Sequence, residues 1–142
     1  STGMSAKHLE FEITENTAMR DFQDSLPRLK KLAAMGLGLS LDDFGIGFCR
    51  LSQLIRMPIQ KLKIDRCFIK EIATDSAGMA IIEAVLALTR QMQIKVIAEG
   101  VETIEQRDIL KQYQCNNYQG YVLSKPLPAD RFETEILQPL ST

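Results

Sequence analysis

Five short segments of the chain alternate between apolar and polar residues. The clearest is 9–14, in which three apolar residues alternate with Glu10 and Glu12. Because successive side chains of a β-strand point to opposite faces, this pattern predicts strands that have one apolar face and one charged face. The other four segments are 37–45, 61–65, 95–100 and the weaker 116–121.

Helical patterns lie between these segments. Apolar residues recur there at three- and four-residue steps, and Thr103 with Gln106 forms the pattern of a helix-starting capping box. Strands that alternate with helices along the chain predict a parallel sheet whose strands are joined by crossover helices. The predicted helices cover 21–35, 76–92, 103–112 and 128–137.

Two architectures contain such units, an open doubly wound sheet and a (β/α) barrel. Strands of an open sheet are covered on both faces and read as continuous apolar runs, whereas these segments carry Glu, Asp and Lys near their C-terminal ends. Barrels place their chemistry at that end of the strands. We therefore predict an α/β fold, a partial (β/α) TIM-like barrel of about five parallel strands with helices on the outside. Eight strands need roughly 200 residues or more, and this chain has 142.

Composition excludes several classes of protein. The net charge of −1 provides no basic surface for nucleic acid, and the longest apolar stretch, 79–88, is too short to cross a bilayer. Cys49, Cys67 and Cys115 are widely spaced and odd in number, which favours reduced thiols over disulfides. We expect a cytoplasmic protein with no nucleic-acid and no membrane partner.

Carboxylates and lysines share the polar faces of the predicted strands. Buried charge is tolerated only when it is paired or bound to metal, so this composition predicts a metal-assisted site. Simpler interpretations exist for single residues: the Asp-Asp-Phe-Gly sequence at 42–45 alone is typical of a turn, and Glu10 is expected to lie in the barrel interior or at its rim without a catalytic part. For Lys61 and Asp65 the simpler interpretation is a structural ion pair between the two side chains.

Five motifs occur in order along the chain: EITE at 12–15, DDFGIG at 42–47, KIDRCFI at 63–69, AEGVET at 98–103 and QGYVLSKPLP at 119–128. With these motifs the chain resembles the second half of an EAL domain, the bacterial cyclic-di-GMP phosphodiesterase, over about 9–137. The resemblance implies a modified TIM barrel that binds two divalent cations, usually Mg²⁺ or Mn²⁺, at the C-terminal ends of the strands.

The resemblance also implies roles for residues within these motifs. In the family the lysine of the KIDRCFI motif positions the attacking water. The glutamate of AEGVET acts as general base or metal ligand. The glutamine lies beside the metal water, and the second glutamate of EITE anchors the DDFG loop. The implied residues are the metal ligands Glu12, Asp42 and Asp43, the catalytic residues Glu99, Lys63 and Gln119, and the loop anchor Glu15.

The 142-residue sequence departs from the family pattern in some elements. The name-giving Glu-Ala-Leu segment, a substrate-binding arginine and an asparagine ligand precede the matched motifs in the family, and Ile46, Cys49 and Arg50 depart from its usual loop residues. We expect 1–3 to be a remnant of an expression tag and 4–142 to be a truncated EAL domain, its C-terminal half.

The missing ligands predict that the isolated chain is inactive in hydrolysis. Two alternatives remain open: a cyclic-di-GMP-binding or regulatory module, and a half-enzyme that another chain completes. Removing strands from a closed barrel leaves unpaired sheet edges, here at 9–14 and 116–121, and such edges tend to find a partner. We therefore expect a homodimer.

Overall fold

The computed structural model of the protein describes residues 3–47, 49–70 and 72–137. Ser1 and Thr2, which belong to the expected tag remnant, lie outside the described residues, as do 138–142 at the end of the expected domain. The described residues form a five-stranded sheet in which all neighbouring strands are parallel. The strands are β1 (Glu10–Thr14), β2 (Gly38–Phe44), β3 (Lys61–Ile64), β4 (Lys95–Glu99) and β5 (Tyr118–Gln119).

Helices lie between successive strands along the chain, and a further helix follows the last strand. Three of the four predicted helices are present within a residue or two of their expected ends, and Thr103 and Gln106 form the expected capping box. The fourth, expected over 128–137, is one α-helical turn followed by a π-helical turn, Glu133–Leu137. No helix in the described ranges is long and apolar enough to span a membrane. The α-helices are α1 (Glu15–Arg20), α2 (Phe22–Ala34), α3 (Leu51–Leu54), α4 (Arg66–Lys70), α5 (Ser76–Gln91), α6 (Ile104–Gln112) and α7 (Ala129–Phe132).

The order of the strands separates the two candidate architectures. In the sheet the strands follow the order β1-β2-β3-β4-β5, so each new strand adds to the same growing edge. A doubly wound sheet instead reverses direction at a switch point, where the chain returns to the other side of its first strand. The sheet is therefore built as a portion of a (β/α) barrel, and the predicted fold class is confirmed.

The hydrophobic core lies on one face of the sheet. Leu39, Leu41 and Leu62 are fully buried there, and they belong to one cluster with apolar side chains of α2 and α5. The intervening residues of the same strands, such as Ser40 and Lys63, point to the opposite face because of the twofold alternation. One face of β2, β3 and β4 thus holds the fold together, and the other face is free to carry polar chemistry.

Gly120 allows the end of β5 to lie against the segment that follows β4. The amide of Val101 donates to the carbonyl of Gln119 at 3.1 Å, and the amide of Val122 donates to the carbonyl of Val101 at 3.0 Å. A Cβ atom added at Gly120 would lie 2.1 Å from the Val101 carbonyl oxygen, much closer than any real contact. Only glycine fits at this point of backbone contact.

We expect Gly120→Ala to destabilise the chain, because the new methyl group must push two backbone segments apart. The expected loss is about 1–3 kcal/mol in the free energy of unfolding, measured by urea denaturation. Gly38→Ala is the matched control, since a Cβ there meets its nearest atoms at an ordinary 3.4 Å. Equal stability of the two variants would contradict the assignment of Gly120 as a contact glycine.

Candidate active site

A buried lysine lies at the centre of the polar face. The Nζ atom of Lys63 in β3 lies 3.0 Å from a carboxylate oxygen of Glu12, 3.2 Å from one of Asp42 and 2.8 Å from one of Glu99. Its side chain is only 8% exposed. The three carboxylates come from β1, β2 and β4, so a single ammonium group joins four strands of the sheet.

The carboxylates keep this lysine charged. Burial lowers the pKa of Lys63, but the hydrogen bonds that its ammonium group donates to Glu99, Glu12 and Asp42 outweigh burial and raise the pKa above its ordinary value. The group is therefore a fixed positive charge at neutral pH. Its three N–H donors are engaged by these carboxylates, so a bound water or an anionic group can reach it only by displacing one of them.

Three carboxylates gather beside the lysine. Oxygen atoms of Asp42, Asp43 and Glu99 all lie within 4.8 Å of one another. Burial, followed by the negative charges of Asp42 and Asp65, raises the pKa of Asp43. Crowded carboxylate oxygens are the donors that hard dications such as Mg²⁺, Mn²⁺ and Ca²⁺ prefer, so the donor set of this cluster fits a divalent metal.

An irregularity in β2 brings its two consecutive aspartates to one site. Neighbouring residues of a regular strand point to opposite faces, yet Asp42 and Asp43 belong to the same cluster. The register with β3 shifts between Leu41 and Phe44, and Asp43 has a φ of 55°, in the left-handed region. The amide of Asp43 donates to the Asp42 side chain at 2.9 Å, which stabilises this local turn. Asp and Asn are the non-glycine residues that enter this region most readily.

The structure brings Gln119 next to the cluster but leaves Glu12 outside it. Gln119 in β5 pairs in register with Glu99, so both side chains lie on the polar face at the end of adjacent strands. Glu12 is not among the three clustered carboxylates and instead accepts a hydrogen bond from Lys63. Of the expected site residues, Glu12, Asp42 and Glu99 contact Lys63, and Asp43 joins Asp42 and Glu99 in the cluster.

Glu15 ties down the loop that follows β2. Its side chain is 1% exposed, and its two oxygens accept hydrogen bonds of 2.7 Å from the backbone amides of Gly45 and Cys49. A Cβ added at Gly47 would lie 2.5 Å from the same carboxylate, so the loop packs closely over it. Burial and the charge of Glu15 raise the pKa of the Cys49 thiol to about 11. Cys49 is therefore protonated at neutral pH.

Lys61, the second lysine on this face, does not make the ion pair with Asp65 that was considered from the sequence. Lys61 forms its ion pair with Glu10 on β1, and the carboxylate of Asp65 accepts a hydrogen bond from the amide of Cys67 at 2.7 Å. The interpretation of Lys61 and Asp65 as an ion pair is wrong. Residue 61 points to the polar face along β3, whereas Asp65 lies beyond the end of that strand and caps the turn into α4.

Sequence reasoning did not single out a polar cleft beside the cluster. The cleft has a volume of about 450 Å³ and lies where Gly100 follows Glu99. The sequence could have indicated this cleft, because several of the residues that line it belong to the KIDRCFI and AEGVET motifs. The cleft is lined by Arg66, Cys67, Lys70, Gly100, Glu102 and Gln106.

We expect Glu15→Ala to release the loop, because the amides of Gly45 and Cys49 lose their acceptors. The change should lower the free energy of unfolding by about 2–4 kcal/mol and speed hydrogen exchange at those two amides. Glu15→Gln, which keeps one acceptor oxygen and the size of the side chain, should have an intermediate effect. Unchanged exchange at both amides in Glu15→Ala would show that the loop is held by other contacts.

The chain is similar in sequence to a known family and to several curated proteins. Residues 1–126 match the EAL domain family. MucR of Pseudomonas aeruginosa, a bifunctional diguanylate cyclase/cyclic di-GMP phosphodiesterase, is 50% identical over 124 residues, which are 87% of this chain and 18% of MucR. The chain spans only 16–20% of the length of the curated relatives that it matches.

Solved structures share the fold. The PaMucR phosphodiesterase in complex with c-di-GMP matches with a TM-score of 0.86 and 48% identity, over 91% of this chain and 52% of that one. BlrP1 of Klebsiella pneumoniae, solved with manganese and cyclic di-GMP, matches with a TM-score of 0.82 and 32% identity, over 87% of this chain and 32% of that one. The five parallel strands thus correspond to a portion of the EAL barrel, and the chain belongs to the EAL domain family, related to cyclic-di-GMP phosphodiesterases.

Proposed function

We propose that this polypeptide carries a portion of a metal-dependent centre for the hydrolysis of cyclic-di-GMP and does not complete the reaction by itself. The observation that carries the proposal is the arrangement around Lys63, whose ammonium group contacts three carboxylates, two of which belong to the cluster that fits a divalent metal. The solved EAL relatives with c-di-GMP and manganese support the choice of ligand and metal.

The proposed roles follow from the chemistry of each side chain. Asp42 and Asp43, with Glu99 in the same cluster, would hold Mg²⁺ or Mn²⁺, since hard dications prefer carboxylate oxygens. Glu12, which accepts a hydrogen bond from Lys63, would become a further ligand once that bond is released. The fixed charge of Lys63 would orient the attacking water and attract the phosphodiester. Glu99, 2.8 Å from Lys63, would accept a proton from that water or share a metal.

Two further residues would support these groups. Gln119, in register with Glu99, would hydrogen-bond the attacking water through its side-chain amide. Glu15 would fix the loop that begins at Asp43 through its bonds to Gly45 and Cys49. Divalent cations, when bound, would lower the pKa of a water molecule and neutralise the phosphodiester.

We expect the purified 142-residue polypeptide to show no turnover of cyclic-di-GMP with Mg²⁺ or Mn²⁺ above the buffer rate. Its residues contain no Glu-Ala-Leu sequence, so the glutamate and arginine that the family supplies from that segment are not provided. Groups that act as a unit fail together when some of them are removed. Chromatographic detection of the linear product is the measurement.

Turnover that Glu99→Gln abolishes would overturn the expected inactivity and make the polypeptide an enzyme. Two alternatives are separated by further outcomes. Binding of cyclic-di-GMP without turnover, measured by calorimetry, would favour a binding or regulatory module. Restored hydrolysis on co-expression with an N-terminal EAL half would favour a half-enzyme that another chain completes.

Metal binding can be tested without turnover. We expect Asp42→Asn to weaken Mn²⁺ binding by roughly tenfold or more in calorimetric titration, because the site loses one charged oxygen donor. Glu10→Gln is the matched control, since Glu10 lies on the same face but pairs with Lys61 outside the cluster. Equal loss of affinity in both variants would indicate a diffuse charge effect in place of a metal site.

We also propose that the polypeptide self-associates as a homodimer. In the described residues β1 and β5 each have one unpaired edge, and apolar side chains are exposed beside both: Phe11 is 48% exposed and Leu123 is 63% exposed. Unpaired edges beside apolar surface favour association, and a second copy is the simplest partner. Light scattering at tens of micromolar protein should give about twice the chain mass of 16.0 kDa. A mass of one chain would contradict this proposal.

A further inference from the structure

Lys63 and the candidate metal cluster use the same carboxylates. Asp42 and Glu99 both contact the Lys63 ammonium group, and both also belong to the cluster whose oxygens lie within 4.8 Å of one another. Asp43 completes the cluster and has no ion pair with the lysine in the described residues, although its charge interacts with it. A metal ion at this cluster would therefore share two of its ligands with an existing positive charge.

The charges around this point explain why such a lysine is needed. Glu12, Asp42, Asp43 and Glu99 bring four carboxylates to the same region of the polar face. Their mutual repulsion would destabilise the ends of three strands if no cation were near, because like charges interact strongly in a partly buried site. Lys63 is held at 8% exposure and reaches three of these groups at once.

We propose that Lys63 is a built-in counter-ion that holds the carboxylates together in the metal-free protein and thereby weakens metal binding. The inference rests on the proposed metal site and adds a regulatory property to it. The lysine sets the concentration of divalent metal at which the site fills. Metal can bind fully only where its attraction for Asp42 and Glu99 exceeds their attraction for the ammonium group.

Removing the lysine charge has two opposite effects on metal binding. Their relative sizes decide whether the affinity for metal rises or falls. Without the ammonium group, the carboxylates of Glu12 and Glu99 are less ordered, which costs affinity. At the same time the metal is no longer repelled by an ammonium group that is bound to two of its ligands, Asp42 and Glu99. The second effect is larger, because a dication and an ammonium ion repel over a few ångströms inside a poorly solvated site, whereas ordering concerns only a few side-chain torsions.

The test compares Lys63→Met with Lys61→Met. Methionine keeps the length and apolar stem of lysine without its charge. Lys61 is the matched control, because it lies two residues earlier on the same strand face and pairs with Glu10 outside the cluster. Calorimetric titration with MnCl₂ should show at least roughly tenfold tighter binding for Lys63→Met than for the unchanged polypeptide. Binding by Lys61→Met should stay within about twofold of the unchanged polypeptide.

Thermal unfolding provides a second measurement that does not depend on activity. In EDTA, Lys63→Met should unfold at a lower temperature than the unchanged polypeptide, and Mn²⁺ should raise its unfolding temperature by a larger increment. If Lys63→Met does not fold in EDTA, folding on addition of Mn²⁺, followed by circular dichroism, supports the inference. Failure of Mn²⁺ to restore folding overturns it.

The remaining outcomes separate this inference from the proposed function. If the unchanged polypeptide binds Mn²⁺ and Lys63→Met binds it equally or more weakly, the counter-ion role is overturned and the metal site stands. Binding by Lys63→Met alone supports the inference strongly. Binding by neither folded protein contradicts the metal site itself, and the counter-ion role fails with it.

Discussion

The neutralisation of three carboxylates by one buried ammonium group is the interaction on which the polar face depends. Lys63 contacts acidic residues from β1, β2 and β4, so it links strands that the chain contributes far apart in sequence. Parallel strands bring their C-terminal ends to one edge of the sheet, which concentrates these charges. The ammonium group offsets the repulsion among these carboxylates. The structure is stabilised and prepared for chemistry by the same group.

Much of the fold could be predicted from the sequence because each strand has a simple alternation. Leu39 and Leu41 are buried against the helices, and the residues between them point away, as the pattern indicates. The parallel direction of the strands also followed from the helices that separate them along the chain. The short helices were harder: α1 and α4 have five or six residues and too few apolar positions to show a period. Their positions are set by capping and by contacts with the rest of the fold, to which a periodicity search is insensitive.

The candidate site was partly predictable for a different reason. The motifs supplied the identity of its residues, and the strand ends supplied their approximate location. The local distortion that turns both Asp42 and Asp43 toward one site could not be predicted, since regular alternation would separate them. The ion-pair partner predicted for Lys61 was also wrong. Its observed partner, Glu10, is set by the register between neighbouring strands, and that register is fixed only in the assembled sheet.

The attachment of the β2 loop to Glu15 has a consequence for how this region can evolve. Both hydrogen bonds go to backbone amides, which every residue except proline possesses. The loop can therefore accept new side chains at Ile46, Cys49 and Arg50 while its mechanical connection to the barrel stays the same. Side chains at these positions can change without loss of either hydrogen bond, whereas a change at Glu15 removes the acceptor and a Cβ at Gly47 would collide with it. A surface of this kind can acquire new binding partners without any redesign of the loop beneath it.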